Sequence, residues 1–219
     1  AHPSAAWSAG RTRRFDGRGL HALGDEAREV RVRAPRVGAF HALRANEFIV
    51  GKSQRAAARA RSEVTPARIR AAWETADGRD PALWQQLAEL GLAGLCVPEE
   101  YGGLGMGELD FVLLAQECGY VALPEPLVHT VMVAAPLLRR LGGDLAATWL
   151  PRIAAGEAKV VVGLEQNLLV EDAHSADLLL LQRGEAWYAL APEQVALRHN
   201  ASVDPSRRLY AVELKMGSD

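Results

Sequence analysis

Hydrophobic residues in the middle of the chain recur at the spacing of amphipathic helices. The clearest helix begins with Asp80 as its N-cap and Pro81 at its first position, and Gly91 ends it. Its apolar side chains fall on one face: Leu83, Trp84, Leu87 and Leu90. The same signals predict further helices over residues 54–61, 65–73, 108–118, 127–141 and 148–155. Proline 136 falls inside the fourth of these, where it is expected to kink the helix.

From residue 160 onward, the hydrophobic pattern becomes typical of strands. Short apolar or alternating runs occur at residues 160–164, 178–182, 187–190, 195–199 and 209–214. Arg183 and Gly184 supply a tight turn between the second and third runs. Helices followed by strands indicate an α+β chain, in which an all-α helical domain precedes a small antiparallel β domain. The boundary is predicted near residues 156–159.

The first 50 residues keep neither helical nor strand periodicity, and they are rich in arginine, glycine, alanine and proline. Residues 1–72 contain 15 basic and 6 acidic side chains, whereas residues 73–219 contain 10 and 21. We predict a basic, disordered extension over residues 1–50. Two alternatives stay open: an arm that binds phosphate groups, and a segment that is not native to the domain. The basic residues lack interleaved aromatic side chains, which disfavours nucleic acid as a partner.

Composition and cysteine content limit the cellular setting and the binding partners to be expected. The chain has 219 residues, 49% of them hydrophobic, and a net charge of −2. Cys96 and Cys118 form no disulfide framework and no metal-ligand spacing, so we expect a reduced, cytoplasmic setting and no metal site. No window reaches the roughly 18 apolar residues that span a bilayer, and the N-terminus lacks the pattern of a secretory signal. A membrane partner is therefore not expected.

One motif is far more specific than any of these patterns. After the helix that ends at Gly91, the chain reads Val97-Pro98-Glu99-Glu100-Tyr101-Gly102-Gly103-Leu104-Gly105. With its preceding helix, this turn and glycine loop resemble the N-terminal helical domain of the acyl-CoA dehydrogenase family. Residues 150–157, 172–181 and 202–209 resemble later segments of the family in the correct order. The resemblance covers about residues 62–214.

This resemblance implies a flavoprotein that binds FAD and oxidises an acyl-CoA to a 2-enoyl-CoA. In the family, FAD lies between a middle β-barrel domain and a C-terminal helical bundle, and a glutamate of the bundle removes the α proton. The present sequence ends at Asp219, before any such bundle, so we expect no catalytic residue within it. We also expect an incomplete, β-barrel-like middle domain, because the family's Thr-Glu-Pro segment is replaced by Leu164-Glu165-Gln166.

The resemblance also assigns candidate binding residues. Those expected to contact FAD, mainly through their backbone, are Val162, Leu164, Glu165 and Val170. Those expected to contact the acyl tail are Thr130, Val133 and Leu137. Leu164 stands at the position of a threonine that hydrogen-bonds the flavin in the family, and a leucine cannot make that bond.

Other polar residues favour structural roles. Glu99 and Glu100 are adjacent on a turn, where their side chains diverge, so we interpret them as solvated or loop-capping residues. His129 lies in an apolar helix and is expected to be packed or partly exposed. His174 lies between two aspartates, but no third ligand has a suitable spacing, so loop capping is favoured over metal binding.

Three hypotheses therefore remain for a chain divided into residues 1–50, 51–158 and 159–215. The first is an acyl-CoA dehydrogenase that is truncated here and active only in a longer form. The second is a non-catalytic subunit that pairs with a complete dehydrogenase chain. The third is a nucleic-acid-binding protein that uses its basic arm. In the first two cases we expect a homo- or hetero-oligomer, because the helices over 108–118 and 127–141 present apolar faces.

Overall fold

The structure is a computed structural model that describes residues 28–31, 58, 61–167 and 169–215. In chain order, the helices are α1 (Pro66–Trp73), α2 (Pro81–Glu89), α3 (Glu108–Tyr120), α4 (Ala135–Leu141) and α5 (Gly143–Ala154). A π-helical segment, His129–Ala134, runs directly into α4, and a short 3₁₀ turn, Glu99–Tyr101, follows the Val-Pro pair of the sequence motif.

Helix α2 shows why the sequence signals were reliable. The side chain of Asp80 accepts a hydrogen bond from the backbone N–H of Leu83, at 3.1 Å, and Pro81 occupies the first helical turn. Leu83, Trp84 and Leu87 are buried. The predicted cap and start are thus confirmed, and so are three members of the predicted apolar face. The fourth, Leu90, is the C-cap residue after the helix ends at Glu89, and it is exposed.

Two helical predictions differ from the structure in detail. Pro136 was expected to kink a regular helix; in the structure, a six-residue π-helical segment runs into α4, which starts at Ala135 and includes Pro136. A wider turn before a proline relieves the clash and the missing hydrogen bond that proline causes in a regular helix. Helix α5 is longer than predicted, because it begins at Gly143 and continues through Pro151.

The glycine loop after the 3₁₀ turn is fixed by backbone hydrogen bonds. The N–H groups of Leu104, Gly105 and Met106 donate to the carbonyls of Gly94, Val97 and Leu95, at 2.8–3.0 Å. A Cβ atom on Gly103 would lie 2.1 Å from the carbonyl oxygen of Val97. Only glycine fits there, so the motif that identified the loop is a packing requirement.

Within the described residues, seven strands form two sheets that do not close into a barrel. The strands are β1 (Arg28–Arg31), β2 (Val160–Gly163), β3 (Leu169–Glu171), β4 (Leu178–Arg183), β5 (Ala186–Leu190), β6 (Val195–Asn200) and β7 (Leu209–Leu214). The first sheet has the order β1-β5-β4-β2 and the second has the order β3-β7-β6. Helices followed by β2 to β7 confirm the α+β class. One pairing departs from the expected antiparallel arrangement, since β2 and β4 are parallel.

Strand β1 corrects the prediction for the first 50 residues at four positions. It lies within the segment expected to be disordered, and it pairs antiparallel with β5 at the edge of the first sheet. The four residues of β1 include a single apolar side chain, Val30, so they show no period-2 alternation. The remaining residues of that segment lie outside the described residues.

The first sheet packs between the helices and the second sheet. Leu178 and Leu180 of β4 face the helices, where they pack with Ala134, Leu138, Leu150 and Ile153. The alternate residues, Leu179 and Leu181, face the second sheet. Strand β4 is therefore covered on both sides, which explains why its sequence is an unbroken apolar run.

Candidate functional site

The two sheets leave a cavity of about 320 Å³ at their open end, which we call the sheet pocket. It is lined by Gly163, Leu164, Glu165, Asn167, Val170, Leu181, Arg183 and Val212. These residues come from the end of β2, the turn after it, β3, the end of β4, and β7. The walls are mostly apolar and the polar groups are few, as in many pockets for organic ligands.

Close approach of the strands shapes the floor of the sheet pocket. A Cβ atom on Gly163 would lie 2.6 Å from the Leu181 Cδ2 atom and 2.7 Å from the Val170 Cγ2 atom. A larger residue would push these two apolar walls apart. The backbone after Gly163 then turns back on itself, and the N–H of Asn167 donates to the carbonyl of Leu164 at 2.9 Å.

Polar groups at the mouth of the sheet pocket are held by the backbone. The Glu165 Oε2 atom accepts a hydrogen bond from the N–H of Gly184 at 2.7 Å. The Arg183 Nη1 atom donates to the carbonyl of Gln182 at 3.0 Å. The turn between β4 and β5 is thereby tied to the segment that follows β2.

Three of the four residues predicted to contact FAD line the sheet pocket: Leu164, Glu165 and Val170. Leu164 is 44% exposed, and Val170 is buried. Val162 lies on the opposite face of β2, where its half-buried side chain packs against the helices. Val162 approaches the pocket only through the backbone of β2. Like those of Leu164, Glu165 and Val170, its assignment as an FAD contact stays a prediction.

The residues predicted to contact an acyl tail do not share a cavity. Thr130 is fully buried, and its hydroxyl donates to the carbonyl of Val160 at 3.3 Å. Val133 is 42% exposed, and Leu137 is partly buried against the helices. None of the three lines either cavity described here. Their role in substrate binding stays a prediction.

A second cavity, of about 360 Å³, lies where the helices meet the strands. We call it the junction pocket. The helical side contributes the end of α3 and the segment that follows it, and the strand side contributes residues beside β3 and β7. The half-buried His129, which was expected to be packed or partly exposed, lies at this pocket. Ala122 and Asp172, which also line it, are the non-glycine residues of the described chain with a positive φ, 51° and 62°.

Buried ion pairs cross the junction. The Arg79 Nη2 atom pairs with the Asp172 Oδ1 atom, and both side chains are almost entirely buried. Burial lowers the pKa of Arg79. The Lys159 Nζ atom lies 3.1 Å from the Glu125 Oε2 atom, and burial raises the pKa of Glu125. Sequence patterns did not indicate these residues, because a charged side chain in a loop carries no signal of its burial.

His174 has the structural role that the sequence favoured. Its Nε2 atom lies 2.7 Å from the carbonyl oxygen of Asp77, and its ring stacks on Tyr210 at 4.9 Å. Burial lowers the pKa of His174. In the part of the chain that the structure describes, no three His, Cys, Asp or Glu residues group as metal ligands. Among the same residues, no helix is long and apolar enough to cross a membrane.

The known proteins whose sequences resemble this chain are acyl-CoA dehydrogenases. Residues 52–157 match the N-terminal domain of acyl-CoA dehydrogenases. The acyl-CoA dehydrogenase IpdE2 of Mycolicibacterium smegmatis is 40% identical over 162 residues, which are 71% of this chain and 48% of that protein. IpdE2 of Mycobacterium tuberculosis is 33% identical over 152 residues, 68% of this chain and 45% of that protein. The chain thus spans about half the length of these relatives.

Solved structures show the same fold. The ChsE4-ChsE5 complex of Mycobacterium tuberculosis matches 78% of this chain and 54% of its own chain, with a TM-score of 0.66 and 20% identity. An acyl-CoA dehydrogenase of Bacillus anthracis, solved in complex with FAD, matches 78% of this chain and 37% of its own, with a TM-score of 0.62 and 15% identity.

Proposed function

The chain belongs to the acyl-CoA dehydrogenase family through its N-terminal domain, and on this premise we propose that it forms part of an FAD-dependent dehydrogenase. The reaction is the removal of one hydrogen from each of the α and β carbons of an acyl-CoA thioester, which gives a 2-enoyl-CoA. One observation supports this function best: three of the residues expected to contact FAD converge on one apolar cavity, the sheet pocket.

The lining of the sheet pocket suits the face of a planar aromatic ring. Val170, Leu181 and Val212 supply an apolar wall, and Asn167 and Arg183 supply polar groups at its edge. A bound flavin would accept the β hydrogen of the substrate as hydride. The apolar wall would exclude water from one side of that ring, and the backbone of residues 162–165 would lie along its edge. We assign no base for removal of the α proton among the described residues.

Leu164 offers a direct test, because it is exposed at the position where a hydroxyl group is expected in the family. In Leu164→Thr, a new hydroxyl can donate one hydrogen bond to the flavin. A hydrogen bond contributes about 0.5–1.5 kcal/mol, so we expect FAD to bind about twofold to twelvefold more tightly. The dissociation constant can be measured by titrating FAD and following its fluorescence.

Leu214→Thr is the matched control. Leu214 is a similarly exposed leucine of the strand region, 39% against 44%, and it does not line the sheet pocket. It should leave FAD affinity unchanged. A wild-type chain that retains no flavin absorption, near roughly 370 and 450 nm, after saturation with FAD and removal of free FAD by gel filtration would contradict the proposed cofactor. Acyl-CoA oxidation by the yellow protein, followed with an electron-accepting dye, tests the reaction itself.

A second candidate function rests on Leu164 and on the sheet pocket, whose lining side chains include no hydroxyl group. A chain that has lost a hydrogen bond to flavin suits a non-catalytic subunit that pairs with a complete dehydrogenase chain. The similar fold of a two-component complex, ChsE4-ChsE5, agrees with such pairing. A colourless chain that co-purifies with a flavin-containing acyl-CoA dehydrogenase would support this alternative over the first.

A further inference from the structure

His174 joins the helical region of the chain to the strand region. It lies in the short 3₁₀ turn Ala173–Ser175, between β3 and β4. Its ring stacks on Tyr210 of β7, with 4.9 Å between the two ring centroids. Its Nε2 atom lies 2.7 Å from the carbonyl oxygen of Asp77, in the loop between α1 and α2. The contacts of one side chain therefore connect three segments that are distant in sequence.

The hydrogen-bond geometry determines which nitrogen of the ring carries a hydrogen. Because a carbonyl oxygen only accepts, the Nε2 atom must donate, and in a neutral ring the Nδ1 atom is then unprotonated. Among the described residues, the buried Nδ1 atom has no hydrogen-bond partner. A second proton on Nδ1 would create a buried, charged N–H group without an acceptor, which is costly.

Two cations near the ring also oppose its protonation. Arg79 lies in the segment before α2, and Arg208 lies in the segment before β7. The guanidinium of Arg208 is held over Gly78, and its Nη2 atom donates to the carbonyl of Trp73 at 3.3 Å. Burial lowers the pKa of His174 below its ordinary value of 6.5, and the two cations lower it further.

The negative charges near the ring already have partners. The Oδ1 atom of Asp77 accepts hydrogen bonds from the Thr75 hydroxyl and from the N–H of Arg79, at 3.0 and 3.2 Å. The carboxylate of Asp172 pairs with the guanidinium of Arg79. The hydrogen bond to Asp77 and its negative charge raise the pKa of His174, but they do not offset burial and the two cations. The other titratable side chains nearby are Tyr210, which stacks on the ring, and the exposed His199, which packs on Tyr210.

We propose that His174 is a pH-sensitive switch, which holds the loop between α1 and α2 against the strands while its ring is neutral and releases it when the ring gains a second proton. The proton comes from solvent, and the charged ring moves into water, where both of its N–H groups are hydrated. The hydrogen bond to Asp77 and the stacking on Tyr210 are then lost. Release also loosens the wall of the junction pocket, because Arg79 and Ser206 line that pocket. The switch does not depend on a bound flavin.

The contact should lose stability in a defined range of pH. In the released state, His174 titrates near its ordinary value of 6.5, whereas in the closed state it titrates at a lower pH. The closed state is therefore at full strength above pH 6.5, and it loses stability as the pH falls from 6.5 to the lower value. Each unit by which the pKa is lowered changes the ratio of released to closed molecules by a factor of about ten.

Hydrogen exchange of the full chain at about pH 7.5 and about pH 5.5 tests the switch. The measured quantity is the protection factor, in which the intrinsic effect of pH on exchange is removed, for residues 75–79 and 172–175. In wild type, protection of both segments should fall by up to about tenfold at the lower pH. The N–H of Asp172 is a direct reporter, because it donates to the carbonyl of Arg208 at 2.8 Å.

His174→Gln removes the titrating group. A glutamine amide can still donate to the carbonyl of Asp77 but gains no proton, so this variant should show no acid-dependent loss of protection. His199→Gln is the matched control, because His199 is an exposed histidine that also contacts Tyr210. It should keep the wild-type response. Circular dichroism establishes that each variant is folded.

An NMR titration of the His174 ring in wild type gives a result that does not depend on the folding of a variant. The pKa of His174 should lie below 6.5, and the loss of protection should follow the same titration. A pKa of 6.5 or above overturns the switch. It is equally overturned if wild type keeps its protection at the lower pH, or if His174→Gln loses protection as wild type does.

Discussion

At the scale of single residues, the stability of the fold depends strongly on the ion pair between Arg79 and Asp172. Both side chains are almost completely removed from solvent. Arg79 also donates from Nη1 to the carbonyls of Gly78 and Ser206, each at 2.9 Å. A buried ion pair adds little net stability over an apolar pair, but removal of one partner leaves an uncompensated charge. Asp172 should therefore be far less tolerant of neutral substitution than its position in a loop suggests.

We expect Asp172→Asn to lower the free energy of unfolding by about 3–5 kcal/mol at neutral pH. Asparagine accepts the left-handed backbone conformation that residue 172 adopts. The loss in unfolding free energy therefore reports the missing charge and not a strained backbone. The measurement is urea denaturation. Glu171→Gln is the adjacent control, because Glu171 pairs with the exposed Arg207 and should cost less than about 1 kcal/mol. Equal losses for the two variants would contradict a special role for the buried pair.

At the scale of elements, the end of α3 places an alanine where helices usually place glycine. The N–H groups of Leu123 and Ala122 donate to the carbonyls of Cys118 and Gly119, which is the Schellman arrangement. Ala122, at its left-handed position, has a φ of 51°. Gly119, by contrast, lies within the last turn of the helix, where a Cβ atom would meet nothing within 4 Å.

We therefore expect both Ala122→Gly and Gly119→Ala to stabilise the protein. The first relieves a left-handed alanine, about 1 kcal/mol, and the second improves helix propensity by about 0.5–1 kcal/mol. Thermal unfolding followed by circular dichroism measures both. Gly102→Ala gives the opposite test: its φ is 81° with open space around it, so it should destabilise the protein. A destabilising Ala122→Gly would show that the surroundings of residue 122, and not its conformation, decide the cost.

The start of α2 combines a cap with an ion pair. Asp80 caps the helix, and its Oδ2 atom lies 2.5 Å from the Nε atom of Arg68. The hydrogen bond from Arg68 lowers the pKa of Asp80 below its ordinary value of 3.8. A lowered pKa in the folded state adds stability above the ordinary value, and this stability is lost as the pH falls through the lower folded value.

Asp80→Asn keeps an effective cap and removes the ion pair, so we expect a loss of up to about 1 kcal/mol at neutral pH. This difference from wild type should shrink as the pH falls below 3.8. Asp80→Ala removes the cap as well, and it should cost about 1 kcal/mol more at every pH. Urea denaturation at several pH values separates the two effects. A difference between wild type and Asp80→Asn that stays constant down to the lowest pH would exclude the ion pair as its cause.

Helices and strands could be predicted where the residues that form a recognisable local pattern also make the stabilising contacts. The cap and apolar face of α2 are both visible in the sequence, and so is the unbroken apolar run of β4. The π-helical segment before Pro136 could not be predicted. A proline in the sequence shows that a regular helix is disturbed, but not how the backbone adapts. Strand β1 depends on a partner more than 150 residues away, and no local pattern encodes that pairing.

At the scale of the whole molecule, the candidate site was predictable only through family resemblance. Leu164, Glu165 and Val170 were assigned by comparison with the motif of the family, and the structure brings them to one cavity. Arg183 had no such signal, since its place at the pocket depends on the tie between Gly184 and Glu165. The charged junction was missed for the same reason: its pairs join residues distant in sequence.

The predicted boundary between a helical and a strand domain, near residue 158, bears on how the chain unfolds. Domain boundaries usually fall in exposed linkers. Here Ala158 and Val160 are both fully buried, and they belong to a core that includes Ala134, Ile153 and Leu180. The helices α4 and α5 thus share their packing with β2 and β4. We therefore expect these two parts of the chain to unfold as one cooperative unit.

Leu180→Ala tests this expectation, because Leu180 is a fully buried strand residue whose side chain faces the helices. Truncation of such a leucine costs about 2–5 kcal/mol. Native-state hydrogen exchange should then show the same loss of protection in residues 145–154 of α5 as in residues 178–183 of β4. Leu214→Ala, at an exposed strand position, should change neither. If α5 kept its wild-type protection in the variant while β4 lost protection, the result would instead support two independent domains, with the boundary at residue 158.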